Sequence, residues 1–148
     1  MLKFSKKTQY AMVALLHLKH CANEGQETAR SISQRYDFPE EYLGKVLQKM
    51  AKAGLLESVR GADGGYRLAV PYHELSVGSV VDAIGERPTA AIGGDEKSPC
   101  SAAERHAQCA DECTCYVQGA LEDVQTKVMQ FLETLPLSEV LAESPVTA

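Results

Sequence analysis

Four cysteines in one short polar stretch are the residues of this chain best suited to chemistry. They are Cys100, Cys109, Cys113 and Cys115, and the residues that separate them are mostly polar or charged. A free cysteine can also fill a core as a small apolar residue, but it then needs apolar neighbours. Because this stretch offers only alanines, the pattern favours metal binding or redox chemistry over burial.

Three chemistries fit these thiols when they are considered alone. The spacing of Cys109 and Cys113 fits structural zinc, although the other gaps do not form the compact ligand pairs of such sites. An iron–sulfur cluster accepts more varied spacing. A thiol switch needs only access and a lowered pKa, which Arg105 and His106 are near enough in sequence to provide. The spacing alone leaves these three open.

Composition indicates a protein of a reducing compartment. The chain has 148 residues and is 45% hydrophobic, which suffices for one compact domain or for a small domain with an appended dimerisation helix. The basic N-terminal segment lacks a leader cleavage pattern, and no apolar run approaches the length of a membrane span. We therefore expect a cytoplasmic protein with reduced thiols and no membrane partner.

The charges are divided unevenly along the chain. Residues 1–70 carry 11 Lys and Arg against 7 Asp and Glu, whereas residues 71–148 carry 4 against 13. Only the first half is therefore suited to a polyanion, and the division predicts that this half binds nucleic acid.

The first half also has the pattern of three helices followed by a hairpin. An apolar helix is predicted over about 6–21, a short one after the cap Thr28, and a third over 40–53. So short a turn between two helices is typical of the helix-turn-helix. The glycine-rich GADGG then joins two strand-like segments. This order predicts a winged helix-turn-helix domain within a mainly α fold.

The third predicted helix has one apolar and one polar face. Leu43, Val46, Leu47 and Met50 form the apolar face. Any surface helix has a polar face, but the hairpin that follows favours DNA recognition here. We predict DNA contacts at Lys6, Glu41, Tyr42, Lys45, Gln48, Lys49, Arg60 and Gly65.

The second half has a short helix capped by Ser76, a linker without periodicity over 86–99, and a long helix over about 116–135. Apolar residues recur along the long helix in a narrow seam, which favours pairing with the same helix of a second subunit. They are Val117, Leu121, Val124, Val128, Phe131 or Leu132, and Leu135. We divide the chain into a winged domain at 1–85, a cysteine-bearing loop at 86–115, and a dimerisation helix and tail at 116–148.

Other side chains give no sign of an enzyme. The four histidines lack paired metal-ligand spacing, and no nucleophile elbow, dinucleotide fingerprint or catalytic carboxylate pair is present. Cys21 stands alone at the end of the first predicted helix, and we assign it no role.

Several motifs together resemble one protein family. They are SKKTQYA, the wing SVRGADGGYRLA, SVGSVVDAI, the cysteine stretch and FLETLPLSEVL. The chain resembles the iron–sulfur-dependent winged-helix transcriptional regulators of bacteria, the IscR, NsrR, RirA and SUF-system regulator group. The resemblance implies a homodimer that binds a double-stranded DNA operator and represses cluster-assembly or stress genes in response to iron, redox or nitric oxide status.

The resemblance also implies an iron–sulfur cluster, of the 2Fe–2S or 4Fe–4S type, with Cys100, Cys109 and Cys115 as ligands. Cys113 is then either an extra cysteine or the fourth ligand. The other positions at which the family supplies a fourth ligand hold Gln118 and Thr8 or Gln9, which are poor iron ligands. One alternative is a thiol-redox or zinc-stabilised winged-helix regulator that binds DNA without a cluster. The other is a cysteine-rich structural or interaction protein whose winged domain contacts protein.

Overall fold

The computed structural model describes residues 4–23, 25–87 and 112–142, which are mostly helical with one two-stranded antiparallel sheet. In chain order the elements are α1 (Lys6–His20), α2 (Ala29–Tyr36), α3 (Glu40–Lys52), β1 (Leu56–Val59), β2 (Gly65–Leu68), a 3-10 turn (Tyr72–Glu74), α4 (Val77–Ile84), α5 (Glu112–Glu133) and α6 (Leu137–Val140). The predicted order of three helices and a hairpin is confirmed. Residues up to 86 and from 132 onward belong to one compact unit, here called the winged unit, and residues 87–131 belong to a second.

Local capping sets the ends of the short helices. Thr28 accepts a hydrogen bond from the backbone N–H of Ser31 and begins α2. Ser76 and Ser79 cap each other reciprocally at the start of α4. Asp37 ends α2 in the left-handed conformation, with φ of 55°, which its short polar side chain tolerates. The left-handed residue Asp37 keeps the turn between α2 and α3 short.

The core of the winged unit lies between α1, α2, α3 and α4. The largest fully buried apolar side chains are Leu15, Ile32, Leu43, Leu47, Met50, Leu75, Val80, Ile84 and Leu137. Removing one such side chain from water is worth about 1.5–3 kcal/mol, so α3 is held firmly by its inner face. The predicted apolar face of α3, including Val46, is confirmed as buried.

The wing is the hairpin of β1 and β2. Its register pairs Leu56 with Leu68 and Val59 with Gly65. On the other edge of β2, Tyr66 forms an isolated antiparallel bridge with Glu27, with N–H···O distances of 3.0 and 2.7 Å. The wing is therefore tied near its tip to the residue just before the cap of α2.

The chain after α5 returns to the winged unit. Leu137 donates its N–H to the carbonyl of Leu75 at 2.8 Å, and Val77 donates to that of Leu135 at 2.9 Å. The predicted division keeps 116–148 in one segment, whereas residues 132–142 pack with the winged unit. The long helix also begins at Glu112 rather than near 116.

Gly78 allows a close approach of α4 to the end of α5. A Cβ at this position would lie 2.6 Å from the backbone nitrogen of Glu133. Because backbone at that distance cannot yield as a flexible side chain can, only glycine fits here without displacement of one helix.

Candidate DNA interface and cysteine segment

The outer face of α3 presents long polar side chains to solvent. Glu41, Lys45 and Gln48 are all exposed, and they lie opposite the buried face of the helix. Burial of the inner face fixes the rotation of α3, so the outward direction of these side chains follows from packing. Their donors and acceptors have the reach to contact base edges and phosphates in a major groove.

Lys49 differs from the other polar residues of α3. Its ammonium group donates to the carbonyl oxygen of Ile84 at 2.9 Å, at the last residue of α4. A cation is favourable at a helix C-terminus because the final carbonyls lack intrahelical partners. Although the sequence predicted a DNA contact here, the structure gives Lys49 a bond within the winged unit.

Tyr42 is half-buried and part of an aromatic cluster. Its ring lies edge-on to Tyr10, with centroids 5.7 Å apart, and Tyr10 stacks on Phe38 at 4.0 Å. The stack continues to Tyr36 at 5.7 Å. Tyr42 therefore helps to position the N-terminal end of α3 against α1.

The wing supplies one exposed cation next to its tip. Arg60 follows β1 directly and is exposed, as is Lys6 at the start of α1. Arg67 is instead paired with Glu57 on the facing strand at 2.8 Å. Gly65 has a backbone role, because a Cβ there would lie 2.6 Å from the carbonyl oxygen of Glu27.

The cysteine segment lies partly within the described chain. Cys100 and Cys109 fall outside the described residues, while Cys113 and Cys115 belong to the first turns of α5. Positions two residues apart in an α-helix do not share a face. The α5 backbone therefore places positions 113 and 115 on different faces, which argues against a single ion held by that pair alone.

Thr8 and Gln9, two of the possible fourth-ligand positions, are engaged within their own subunit. Thr8 is 1% exposed, and its hydroxyl donates to the carboxylate of Glu86 at 3.0 Å. The side-chain amide of Gln9 donates to the carbonyl of Phe4 at 3.1 Å. Gln118, the third such position, lies within α5.

Glu86 is held as a carboxylate at the N-terminus of α1. Burial raises the pKa of this carboxyl, but hydrogen bonds from Ser5 and Thr8 and the charge of Lys7 outweigh it, so the pKa lies below its usual range. The ammonium of Lys7 lies 3.5 Å from one carboxylate oxygen. These contacts hold the N-terminus of α1 against Glu86, the last residue of the first segment of the winged unit.

A group that the sequence analysis missed lies at the other end of α1. His17, Cys21 and Glu27 place one ligand atom each within 4.8 Å of one another. The available signal was the four-residue separation of His17 and Cys21, which puts them on one helix face. Glu27 joins them through the turn into α2, a contact that spacing alone does not reveal.

The long helix exposes a row of apolar side chains. The exposed fractions are 46% for Val117, 40% for Leu121, 55% for Val124 and 61% for Phe131. Leu132, the alternative to Phe131 in the seam, is 6% exposed. Of these two alternatives, Phe131 and not Leu132 therefore lies on the exposed row.

Among the described helices, none combines the length and apolarity that a membrane crossing requires.

The comparisons with known proteins agree with this architecture. Residues 4–143 match the family model Rrf2, described as an iron-dependent transcriptional regulator. Among curated relatives, the HTH-type transcriptional regulator IscR of Aliivibrio salmonicida (strain LFI1238) is 31% identical over 145 residues, covering 98% of this chain and 80% of the relative.

Solved structures give the same fold. The structure of T. potens IscR has a TM-score of 0.64 and 26% identity, covering 99% of this chain and 93% of that chain. The global cysteine regulator CymR (YrzC) of B. subtilis has a TM-score of 0.62 and 24% identity, covering 97% and 99%. These similar proteins are regulators and not enzymes, as the absence of catalytic motifs predicted.

Proposed function

The chain belongs to the Rrf2 family of iron-dependent transcriptional regulators, and from this premise we propose that it is a homodimeric repressor that senses iron–sulfur status through its C-terminal cysteines. One observation carries the proposal: the family match runs without a break through the winged unit and the cysteine segment, from residue 4 to 143. One family model therefore covers both the part that we expect to bind DNA and the cysteine segment that we expect to sense.

The α3 surface supports operator binding. Glu41, Lys45 and Gln48 are exposed on a helix whose rotation is fixed by its buried face. Arg60 extends the surface toward the wing, where an arginine can reach the backbone or the minor groove. We assign base contacts to α3 and backbone contacts to Lys6 and Arg60.

The exposed apolar row of α5 supports a homodimer. Val117, Leu121 and Val124 follow one another at steps of four and three, the spacing of a helix–helix seam. Contiguous exposed apolar surface on a single subunit usually marks an interaction site. A second copy of the chain supplies the matching seam, and two winged units then read two operator half-sites.

The donor set supports a cluster. Cys100, Cys109 and Cys115 are our ligands, and Cys113 is our candidate for the fourth. Thiolates are the ligands that hold iron–sulfur clusters. Because Thr8 and Gln9 already donate hydrogen bonds to Glu86 and Phe4, these two residues are poorly placed to be the fourth ligand. When bound, the cluster supplies a centre that iron supply, oxidants or nitric oxide can alter.

The protein's own part in sensing is to order the cysteine segment. The thiols must be deprotonated to bind metal, and binding is coupled to ordering of the surrounding chain. Because Cys113 and Cys115 are within α5 itself, ligation acts on the start of the proposed dimer helix. A change there alters the spacing of the two winged units and therefore their fit to the operator.

Anaerobic purification tests the proposal. We expect a brown protein with comparable amounts of iron and acid-labile sulfide, and colourless but folded Cys100→Ala, Cys109→Ala and Cys115→Ala variants. Cys113→Ala is the matched comparison and should lose less of the cluster. A colourless wild-type protein whose zinc disappears in Cys109→Ala would overturn the cluster in favour of a zinc-stabilised regulator, and metal-free, oxidant-sensitive thiols would favour a thiol switch.

DNA affinity tests the sensing step separately. We expect the cluster-loaded and cluster-free proteins to differ in operator affinity by about 1–3 kcal/mol, the usual size of coupling between two sites. Equal affinities would leave a metal-binding DNA protein but remove the sensor.

A further inference from the structure

We propose that His17, Cys21 and Glu27 form a zinc site in the winged unit, separate from the C-terminal cysteines. Their three ligand atoms lie within 4.8 Å of one another. The set offers one imidazole, one thiolate and one carboxylate, all of which are ordinary zinc ligands. Its two anionic groups balance the charge of a divalent cation.

The spacing of the first two ligands already suits a tetrahedral ion. His17 Nε2 and Cys21 Sγ are 3.7 Å apart. Ordinary zinc–nitrogen and zinc–sulfur bonds place two tetrahedral ligands about 3.6 Å apart. The carboxylate of Glu27 has an oxygen within 4.8 Å of both atoms and would be the third ligand, and a water would take the fourth position.

His17 and Glu27 each have a hydroxyl partner that orients the side chain. His17 Nδ1 lies 3.1 Å from the hydroxyl of Tyr36. When Nδ1–H donates to that hydroxyl, Nε2 keeps its lone pair on the side of Cys21. Glu27 accepts a hydrogen bond from Ser31 at 2.6 Å. Such partners are typical around metal ligands, where they fix the tautomer and raise basicity.

The three ligands differ in their exposure to solvent, and this difference suits ion binding. His17 is 5% exposed, whereas Cys21 and Glu27 are half-buried. The imidazole is thus held rigidly in the core, while the thiol and the carboxylate remain in reach of solvent for exchange of the ion and of the thiol proton.

The position of the site gives the ion a structural task. Cys21 ends α1, and Glu27 precedes the cap of α2 while its backbone pairs with Tyr66 of the wing. An ion shared by His17, Cys21 and Glu27 would therefore hold together α1, the start of α2 and the tip half of the wing.

The test removes the other thiols from the full chain. We use Cys100→Ser, Cys109→Ser, Cys113→Ser and Cys115→Ser together, here called the cysteine-depleted chain, strip it of metal and titrate it with Co²⁺ and then Zn²⁺. We expect one equivalent of Co²⁺ with a thiolate-to-cobalt charge-transfer band and tetrahedral d–d bands, which Zn²⁺ displaces. Absence of the charge-transfer band would overturn the proposal.

Single substitutions in the cysteine-depleted chain assign the ligands. Cys21→Ser should abolish the charge-transfer band, and Glu27→Gln should weaken binding while it keeps the backbone bridge. Tyr36→Phe keeps the ring but removes the partner of His17, so Zn²⁺ affinity should fall by about 10- to 100-fold. His20→Ala is the matched control, because His20 is an exposed histidine on the same turn of α1; an equal loss in that variant would refute the assignment.

A second measurement uses the chain with all five cysteines, so its result does not depend on whether the variants fold. Zn²⁺ should slow alkylation of Cys21, read at its own peptide by mass spectrometry. Unchanged alkylation of Cys21 at saturating Zn²⁺ would overturn the site. Because neither experiment depends on an iron–sulfur cluster, failure here leaves the proposed sensing function standing, and the reverse also holds.

Discussion

Lys45 and Lys49 lie one turn apart on α3, and the structure predicts that removing them affects different properties, DNA affinity for Lys45 and stability for Lys49. Lys45 is exposed, and within the described residues no hydrogen bond or ion pair holds it. Lys49 donates to the carbonyl of Ile84 at 2.9 Å. We therefore expect Lys45→Ala to weaken operator binding at unchanged stability, and Lys49→Ala to lower stability first.

The expected magnitudes follow from these environments. A lost base contact by Lys45 costs about 1–3 kcal/mol, or roughly 5- to 150-fold in affinity. If Lys45 binds a phosphate instead, the slope of log affinity against log salt falls by about 0.9 per contact. Loss of the charged hydrogen bond of Lys49, which is partly exposed, costs about 1 kcal/mol. That corresponds to roughly 4 °C in Tm.

Fluorescence anisotropy with a labelled operator at several salt concentrations measures the first effect, and thermal unfolding by circular dichroism measures the second. Both variants are compared at a temperature where each is folded. The reasoning is refuted if Lys45→Ala binds the operator like the wild type, or if Lys49→Ala loses as much affinity as Lys45→Ala without any fall in Tm.

The remaining predictions concern the seam, α4 and acid stability. Replacing Val124 and Val128 together with Glu places charge in the proposed helix–helix contact, which is costly, so light scattering should show monomers; a persistent tight dimer would place the seam elsewhere. Gly78→Ala forces apart two backbones that a Cβ cannot fit between, and denaturant unfolding should show a loss of about 1–3 kcal/mol; a wild-type midpoint would contradict that packing. Glu86 has a depressed pKa, so its stabilisation is complete above about pH 4.5 and is lost as pH falls through the lower folded pKa. The stability gap between wild type and Glu86→Gln should therefore close in acid, and a gap that is constant down to pH 2 would refute this cause.

Short-range chemistry made much of the winged unit predictable from sequence. The cap Thr28, the cap Ser76 and the apolar face that includes Leu43 act within one or two helical turns, so their residues alone indicate where helices begin and which side is buried. The wing followed from its glycine-rich turn in the same way. Each of these elements was predicted close to its observed bounds.

Contacts between distant segments could not be predicted in this way. The bridge between Glu27 and Tyr66, the bond from Lys49 to Ile84 and the meeting of His17, Cys21 and Glu27 all join elements whose relative placement depends on the packed core. A surface lysine and a lysine bound to a helix end look alike in sequence. For the same reason the return of residues 132–142 to the winged unit was missed.

The return of residues 132–142 to the winged unit determines when that unit can finish folding during synthesis. Leu137 is fully buried and bonds to Leu75, and Val77 bonds to Leu135, so the winged unit is a discontinuous domain interrupted by about 45 residues. On the ribosome, α3 and the wing emerge early, but the packing of α4 is completed only after α5 has been synthesised. The four C-terminal cysteines leave the ribosome before that step, so each new chain exposes these thiols before its winged unit is complete.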